Sequence, residues 1–500
     1  MSHAPQDVSS DDAMSHRPGA ERTGYHGGAN WATWPINQRC RIVGNTRFEL
    51  ASLVDQFTRL SRTEQRVDDA ETVASELFPL CDALRWITTH GAKTLADRKV
   101  GWKGRPVWMW GVHSVVQRVP LGRVLILGTW NYPLLLPGVQ MAQALAAGNE
   151  VWLKPAEGTE AVSAELVRCF HRSGVPETAL RLLDSSPQAA MDAQSKGVDL
   201  VVLTGSAATG KKVMHQAADT LTPSIMELSG VDAAVVLPGA KLNRVSDAVA
   251  FGLLFNSGAT CIGPRRLMVS PSDQTDLLVK GLTKRLKAAD AVTVHPAARE
   301  EVARLVQDAI HCGATDLTER FDGEKLLRTG RMHPVMLHNV PGDHAVLSSD
   351  IFAPVISIVP VKTKDDAVKQ INNCPYRLAA SVFGPTAEAG AFAKRLNVGV
   401  VTVNDMVAPT ADPRLPFGGR GQSGFGVTRG PEGLLAMTTT RVIATRKGKT
   451  AMHLSPRNDA DAELLSAALQ WTHGSTWSRR KAALKRLTSA AGKWRALKKK

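Results

Sequence analysis

The chain has 500 residues, of which 43% are hydrophobic, so it is long enough to bury large cores and to form two or more domains. It contains no run of about 18 uncharged apolar residues and begins with a polar, acidic stretch, so we expect neither a membrane span nor a signal peptide and predict a cytoplasmic protein. The net charge of +15 is largely local, because residues 476–500 hold ten Lys or Arg and no acid.

The cysteines show neither the CxxC spacing of a zinc site nor the density of a disulfide scaffold. We therefore expect reduced thiols and no metal site, with most of these side chains filling core or surface positions. The six are Cys40, Cys81, Cys169, Cys261, Cys312 and Cys374.

Residues 1–45 are rich in Ser, Asp, Gly and His and are predicted to form a mobile N-terminal extension. Apolar residues at helical spacing begin near Phe48 and continue to Ile87. These residues predict helices that pack against a sheet.

After Pro120, short apolar strands alternate with helical segments. This alternation favours an α/β fold with a doubly wound, parallel, Rossmann-type sheet, built from 46–106 and 120–228, which binds ligands at the carboxyl ends of its strands. The strand candidates of this series are Arg123–Leu127, Glu150–Leu153, Leu200–Leu203 and Ala233–Leu237.

A second alternating block starts near Cys261 and predicts an α/β catalytic domain, assigned to 229–435. The segments 107–119 and 436–447 read as extra strands that would pair as a small β oligomerisation arm, so a homodimer or homotetramer is expected. The strand candidates of the second block are Arg266–Val269, Ile356–Val361, Ala379–Phe383 and Gly399–Val403.

Two strand ends carry residues suited to a dinucleotide. Gly205 and Gly210 follow an apolar strand and open a helix, where backbone N–H groups can meet a phosphate, although such a pair is often a plain tight turn. Lys154 and Glu157 close another strand. A carboxylate there could clamp ribose hydroxyls and favour NAD, and a solvated surface pair is the alternative.

Three further residues suggest covalent chemistry. Cys261 ends a stretch of small residues, 34 positions after Glu227. A thiol nucleophile with a water-activating carboxylate is the minimum needed to oxidise an aldehyde through a thioester. The amide of Asn131 could stabilise an oxyanion. Taken alone, each of these residues is also explained as an ordinary turn or surface residue.

The motifs WNYP, KPAE, TGS with a glycine four residues later, ELSG, GATC, DIFAP, YRLAASVF and PFGG followed by SGFG occur in this order. Together they resemble the aldehyde dehydrogenase superfamily of the hydrolytic type, and the resemblance covers Phe48 to Arg446. It implies the family's fold and an NAD(P)-dependent oxidation of an aldehyde to a carboxylic acid, with NAD favoured and NADP left open.

The resemblance also implies roles. Cys261 would be the nucleophile, Asn131 would hold the oxyanion with the backbone N–H of Cys261, and Glu227 would activate water. No metal is implied. The implied cofactor contacts are Trp130, Lys154, Glu157, Gly205, Ser206, Gly210, Leu228, Asp350 and Phe352.

The chain departs from the family pattern near the cofactor. Asp350 stands where a glutamate is usual, and glycines are usual at Ala353, Ser229 and Arg377. The shorter carboxylate of Asp350 would reach the nicotinamide ribose less easily unless the loop moves closer, so we expect an effect on how the cofactor is seated.

The substrate is poorly encoded. Residues near Leu134, Leu135, Thr260, Ile262 and 405–407 would form the tunnel walls, and their mostly apolar character favours a hydrophobic aldehyde. Two other functions stay open: a dehydrogenase that passes the acyl group to coenzyme A, against which Glu227 argues, and an inactive scaffold.

Residues 448–500 form a C-terminal extension with a basic tail at 476–500. If the tail is helical, its apolar residues make a stripe beside a cationic face, which suits peripheral contact with an anionic membrane. A solvated or disordered basic tail ranks ahead of this membrane contact, and a nucleic-acid or acidic-protein partner ranks last. The stripe residues are Trp477, Leu484, Leu487, Ala491 and Trp494.

Overall fold

The computed structural model describes residues 31–106, 109, 111–447, 452–454, 457 and 459–498. The described residues fall into two compact units. The first comprises the residues up to Asp97 together with Gln117–Arg441, and the second comprises Arg98–Val116 and the residues from Val442 onward. Most of the predicted N-terminal extension, residues 1–30, lies outside the described residues.

The end of that predicted extension is wrong, because residues 31–45 are ordered against the core. Trp31 is 1% exposed, and its Nε1 donates a hydrogen bond to the Leu145 carbonyl at 3.0 Å. The first helix buries Cys40, Val43 and Leu50, whose three- to seven-residue spacing puts them on one face. The N-terminal helices are α1 (Ile36–Ser52), α2 (Val54–Ser61), α3 (Asp69–Thr72), α4 (Phe78–Trp86) and α5 (Ala92–Thr94), with π-helical turns at Val73–Leu77 and Ile87–Gly91.

The first sheet has six strands, of which five are parallel and confirm the predicted doubly wound arrangement, while the edge strand Gly424–Phe425 pairs antiparallel with its neighbour. Its central strand spans Arg123–Leu127, as predicted. This strand is apolar on both faces because helices cover both sides of the sheet. In spatial order the strands are β19 (Gly424–Phe425), β7 (Ser224–Leu228), β6 (Leu200–Gly205), β3 (Arg123–Leu127), β4 (Glu150–Lys154) and β5 (Leu180–Leu182).

The second sheet has seven strands and corrects one assignment. The run Ala233–Leu237, which the sequence placed in the first series, forms Asp232–Val236 inside the second sheet, between its neighbours Pro264–Val269 and Ala379–Phe383. The ELSG turn at residues 227–230 carries the chain from one sheet to the other. In spatial order the strands are β11 (Thr315–Asp316), β13 (Val335–His338), β14 (Val355–Pro360), β9 (Pro264–Val269), β8 (Asp232–Val236), β16 (Ala379–Phe383) and β17 (Val400–Val403).

Helices pack on both sheets, and most contribute one apolar face. The helix Leu135–Ala147 differs, because all of its residues are buried. The helices are α6 (Leu135–Ala147), α7 (Glu160–Arg172), α8 (Pro187–Ser195), α9 (Ala207–Ala218), α10 (Leu242–Leu254), α11 (Asp273–Ala288), α12 (Pro296–His311), α13 (Gly323–Thr329), α14 (Lys364–Asn373), α15 (Thr386–Ala393) and α16 (Gly430–Ala436). Two-stranded ribbons pair β10 (Val292–Thr293) with β12 (Arg331–Met332) and β15 (Tyr376–Arg377) with β18 (Arg420–Gly421).

The segments predicted to pair as an arm do share a three-stranded sheet, in the order β1 (Arg98–Val100), β2 (Val112–Pro120) and β20 (Thr438–Arg446). Residues 107, 108 and 110 of the predicted segment lie outside the described residues. Ala436 belongs to α16 rather than to the arm. The role of this sheet in oligomer formation stays a prediction.

The second unit also contains a helical hairpin of α17 (Asp461–His473) and α18 (Trp477–Lys498). The tail is helical, which is the condition under which the sequence predicted an apolar stripe, and its partner α17 was not predicted. The two helices bury a seam of small and apolar residues, Leu464, Ala467, Ala483 and Ala490. None of the described helices has the length and apolar character needed to cross a bilayer.

Candidate active site

A cavity of about 700 Å³ opens at the carboxyl ends of the first sheet's central strands. Cys261, Glu227 and Asn131 all line it, so residues distant in sequence meet at one site. Two predicted cofactor contacts, Glu157 and Gly210, are not among the described residues that line the cavity. The predicted contacts that do line it are Trp130, Lys154, Gly205, Ser206, Leu228, Asp350 and Phe352.

Cys261 follows a tight turn whose shape depends on unusual backbone angles. Asn256 and Ser257 have φ values of 51° and 56°, in the left-handed region. The side chain of Cys261 is partly exposed to the cavity and packs on an apolar cluster that includes Phe417 and Leu378. Burial raises the pKa of the Cys261 thiol to about 12, and the carboxyl groups of its neighbours contribute in the same direction.

A buried ion pair fixes this turn against the first domain. Arg66 pairs with Glu76, donates from Nε to Asn256 Oδ1 at 3.2 Å, and donates from Nη2 to the Asn131 carbonyl at 2.5 Å. The Glu76 carboxylate in turn accepts the backbone N–H groups of Leu134 and Leu135. Sequence reasoning missed this pair, because its members precede the recognised motifs.

Asn131 is positioned as a donor at the nucleophile. Its Oδ1 accepts from Thr129 Oγ1 at 2.7 Å, which orients the amide, and its Nδ2 donates to the Ala259 carbonyl at 2.8 Å. A primary amide carries two N–H groups. The second N–H of Asn131 therefore stays available to an oxygen in the cavity.

Glu227 sits at the end of β7 and is held by three side chains. Its Oε2 accepts from Gln140 at 3.0 Å and from Thr204 at 3.3 Å, and its Oε1 accepts from the hydroxyl of Thr428. Burial raises the pKa of Glu227, and the nearby guanidinium of Arg429 opposes this rise. The sequence signal that could have found Gln140 is its polarity within an otherwise apolar helix.

The phosphate-binding prediction rests on the start of α9. Ser206 caps this helix by accepting the Thr209 backbone N–H at 3.1 Å, and other backbone N–H groups of the first turn have no partner within the helix. Gly210 has a packing role, because a Cβ at this position would lie 3.0 Å from the Leu228 side chain. Lys154 lies half-buried at the end of β4, where burial lowers its pKa.

Two departures from the family pattern lie together. Ser229 and Asp350 both line the cavity, and the Ser229 hydroxyl opposes the rise in the pKa of Asp350. Burial raises the pKa of Asp350 to about 6, against the opposing charge of Arg265. Asp350 Oδ1 is buried without a hydrogen-bond partner, and the residue lines the cavity. Ala353 is fully buried, and its carbonyl accepts from Arg265 Nη1 at 3.1 Å.

Aromatic rings form one wall of the cavity. Trp130 stacks on His295 with centroids 4.1 Å apart and lies 6.1 Å from the ring of Phe352. His295 was not predicted, because it lies in no recognised motif. Burial lowers the pKa of His295, so the ring is neutral in the stack at neutral pH.

The predicted tunnel walls are closed in this structure. Leu134, Thr260 and Ile262 are at most 9% exposed. Leu135 borders a small void beside Arg429, whereas Ile262, Met406 and Val407 border another beside Asp232. None of these described residues lines the main cavity.

One group of described side chains has the chemistry of metal ligands: Asp308, Cys312 and His344. His344 Nδ1 accepts the Val346 backbone N–H at 3.1 Å, which places the ring proton on Nε2, where it faces Asp308 at 3.1 Å. The group lies apart from the cavity and has no assigned role.

Comparisons with known proteins agree with this geometry. The chain is 31% identical over 415 residues to a 4,4'-diapolycopene aldehyde oxidase of Methylomonas sp., covering 81% of this chain and 77% of the relative. It is 30% identical to a probable coniferyl aldehyde dehydrogenase of Pseudomonas aeruginosa, covering 75% and 79% of the two chains.

A solved aldehyde dehydrogenase of Mycobacterium tuberculosis complexed with NAD+ superposes with a TM-score of 0.76 at 26% identity, covering 86% of this chain and 89% of that one. The sequence profile of the aldehyde dehydrogenase family matches residues 9–443. The chain therefore belongs to the aldehyde dehydrogenase family and is an enzyme of NAD(P)-dependent aldehyde oxidation.

Proposed function

We propose that this chain oxidises an apolar aldehyde to a free carboxylic acid, with Cys261 as nucleophile. The observation that supports the proposal most strongly is that Cys261, Asn131 and Glu227 line one cavity. A thiol, an oxyanion donor and a buried carboxylate are the groups that acyl chemistry through a thioester requires.

The steps follow from the contacts of these residues. The Cys261 thiol gives up its proton to solvent as its sulfur bonds to the aldehyde carbon, the C=O π pair moves onto the oxygen, and Asn131 donates its free N–H to the resulting oxyanion. NAD(P)+, when bound, supplies the acceptor for the hydride that leaves this carbon. Glu227 then takes a proton from water as the water oxygen attacks the thioester, which releases the acid and restores the thiol.

The cavity fits a dinucleotide by the character of its polar groups. Ser206 and the first turn of α9 offer backbone N–H groups suited to a pyrophosphate, and Lys154 adds a cation. The unpartnered Oδ1 of Asp350 would accept a hydrogen bond from a ribose hydroxyl. We propose NAD as the preferred cofactor. Glu157 is exposed outside the cavity lining, so its predicted ribose clamp stays a prediction.

An apolar substrate is supported by the surroundings of the nucleophile. Of the apolar residues packed with Cys261, Phe417 lines the cavity beside it and offers no charged group to a substrate. The names of the Methylomonas and Pseudomonas relatives also specify aldehydes with large apolar or aromatic bodies. A panel that compares long-chain and aromatic aldehydes with small charged ones tests this, and a preference for charged aldehydes would overturn it.

The reaction is tested by separating its two halves. Cys261→Ala should abolish NADH formation, whereas Cys169→Ala, which removes a buried thiol outside the cavity, should not. Glu227→Gln should retain a burst of NADH and then turn over about 10²–10⁴-fold more slowly, because the thioester lacks its base. Steady NADH production by the Cys261→Ala variant would refute the assignment.

The same turnover assay distinguishes water from coenzyme A as the acceptor of the acyl group. If coenzyme A rather than water received the acyl group, adding it would speed turnover of the wild-type protein and yield an acyl thioester in solution. The buried, hydrogen-bonded Glu227 favours water. Mass spectrometry of the product with and without coenzyme A separates the two outcomes.

We further propose a cytoplasmic homo-oligomer, in which the sheet of β1, β2 and β20 serves as the contact between subunits. Exposed strands such as Thr438–Arg446 offer backbone groups and side chains for pairing with another chain. Sedimentation velocity of the full chain is the test. A monomer at micromolar concentration would refute this role for the sheet.

The C-terminal hairpin supports peripheral contact with an anionic membrane. Residues 476–500 carry ten basic residues, and the α17 acids Asp461 and Glu463 are engaged by Trp494 and Lys493. The predicted apolar stripe is only partly available, because its C-terminal half packs on α17. Trp477 and Leu484, at 79% and 42% exposure, lie seven residues apart on one face with Lys481 between them.

Vesicle sedimentation tests this contact with the full chain. Lys481→Glu with Lys485→Glu should weaken binding to phosphatidylglycerol-containing vesicles about tenfold or more, since each basic residue near such a surface contributes about 1 kcal/mol. Lys280→Glu with Lys284→Glu makes the same change on the exposed face of α11 and should have no effect. Equal binding by both double variants, or binding to RNA but not to vesicles, would refute the proposal.

A further inference from the structure

A buried arginine that belongs to no recognised motif lies near Glu227, the proposed base. Arg429 is 8% exposed and immediately follows Thr428, whose hydroxyl bonds to Glu227. Its guanidinium donates from Nη1 to the Thr410 carbonyl at 2.8 Å and lies 4.7 Å from the centroid of the Phe417 ring. Phe417 itself packs in the apolar cluster that contains Cys261.

The backbone at Arg429 adopts a conformation that a side chain rarely permits. Its φ of 61° and ψ of 170° fall in a region occupied almost only by glycine. Such a conformation persists only where the surrounding contacts over-determine it. The structure therefore holds a bulky cation at a position where glycine would fit more easily.

One helix ties this residue to the base. On α6, Gln140 donates to Glu227, and Gln143, one turn later, accepts the Arg429 backbone N–H and donates to the Gly430 carbonyl, both at 3.1 Å. On the other side, Phe417 and Thr428 exchange two backbone hydrogen bonds, of 2.8 and 2.9 Å. Glu227 and Arg429 thus share one rigid frame.

We propose that Arg429 is a positioning residue for thioester hydrolysis, whose fixed charge keeps the buried Glu227 ionised in its hydrogen-bonded position. This inference rests on the proposed function. A buried carboxylate without a nearby cation would take up a proton and could not act as a base. Arg429 does not line the cavity, so its guanidinium acts on Glu227 through its charge rather than by contact with a substrate.

The charged groups around the base are few. Arg429 is the cation that opposes protonation of Glu227, and the Cys261 thiol is the other titratable neighbour on the cavity side. Around Cys261, the carboxyl groups of Asp232, Glu227 and Asp350 favour the thiol, and Arg429 favours the thiolate. Arg265 interacts electrostatically with Asp350, Asp232 and the Cys261 thiol, and Arg266 interacts with Asp232. Removal of the Arg429 charge should therefore raise the pKa of both Glu227 and Cys261.

The test compares Arg429→Met, which removes the charge, with Arg429→Lys, which keeps it. In single-turnover experiments the NADH burst reports acylation, and the slower steady phase reports hydrolysis. The rate of the steady phase is measured against pH. In Arg429→Met, we expect the pH below which this rate falls to rise by about 1–3 units, so that hydrolysis lost at pH 7 returns at higher pH. Arg429→Lys should stay near the wild-type profile.

A second readout does not depend on turnover. Alkylation of Cys261 by iodoacetamide at pH 8.5, followed by peptide mass spectrometry, should slow about tenfold or more in Arg429→Met and little in Arg429→Lys. A purely structural role would reduce activity in both variants without moving the pH profile, and that result would overturn the proposal. Absence of a burst in the wild-type protein would instead count against the proposed function.

Discussion

The two ends of the cavity hold their polar groups differently. At the catalytic end, Asn131 and Glu227 each have partners within the chain. At the cofactor end, Asp350 retains a buried oxygen without a partner, and Ser206 sits where backbone donors are free. The protein therefore builds its catalytic end in advance and leaves the cofactor end to be completed by its ligand. Substitutions at the catalytic end should lower both stability and the rate of catalysis. Substitutions at the cofactor end should weaken only cofactor binding.

The largest expected effect is on the support of the catalytic end. Arg66→Met should lower the free energy of unfolding by about 3–5 kcal/mol, because it leaves the fully buried Glu76 without its cation. The matched control is Arg62→Met, which removes an exposed ion pair with Asp69 and should leave stability unchanged. Denaturation by urea measures both. If Arg66→Met were as stable as Arg62→Met, the turn before Cys261 would be held by other contacts.

The next effect is on the reaction itself. Asn131→Ala should lower kcat about 10²–10³-fold, the usual loss when one oxyanion donor is removed. Binding of NAD+ should change little, because the cofactor-facing residues Lys154 and Ser206 are untouched. Rapid-mixing kinetics should show a slowed NADH burst. A normal burst with slow turnover would place the role of Asn131 in hydrolysis instead.

The smallest effect is at the cofactor end. The pKa of Asp350 is raised to about 6 by burial, so its carboxylate is charged above this pH and protonated below it. We expect the Kd for NAD+ to rise about tenfold as pH falls through 6, since a charge-assisted hydrogen bond of about 1.5 kcal/mol is lost. Quenching of tryptophan fluorescence measures this directly. Asp350→Asn should remove the pH dependence, and an unchanged profile would exclude Asp350 as the group responsible.

The sequence predicted well those elements whose pattern is local. The strands Arg123–Leu127 and Ala379–Phe383 are uninterrupted apolar runs, and both were located to the residue. Ser224–Leu228 was missed because its buried glutamate looked like part of a turn, and Asp232–Val236 was placed in the wrong sheet. Nothing in a short apolar run specifies which sheet it joins. Tertiary contacts decide that.

The site was predicted only where motifs carry it. Cys261, Asn131 and Glu227 were found through their motifs, and the cavity brings them together. Arg429 could not be found in this way, because its role depends on a backbone turn and on contacts with α6. Two glutamines within the apolar α6 were the available signal, since buried polar side chains require partners.

The protonated thiol of Cys261 also bears on how the protein withstands oxidants. Thiolates, rather than thiols, react with peroxide and with electrophiles. Because burial raises the pKa of the Cys261 thiol far above neutral pH, very little of this thiolate is present at pH 7. In the protein without ligands, oxidants should therefore modify the exposed Cys312 first. Cys261 should react only when a change in its surroundings lowers the pKa of its thiol.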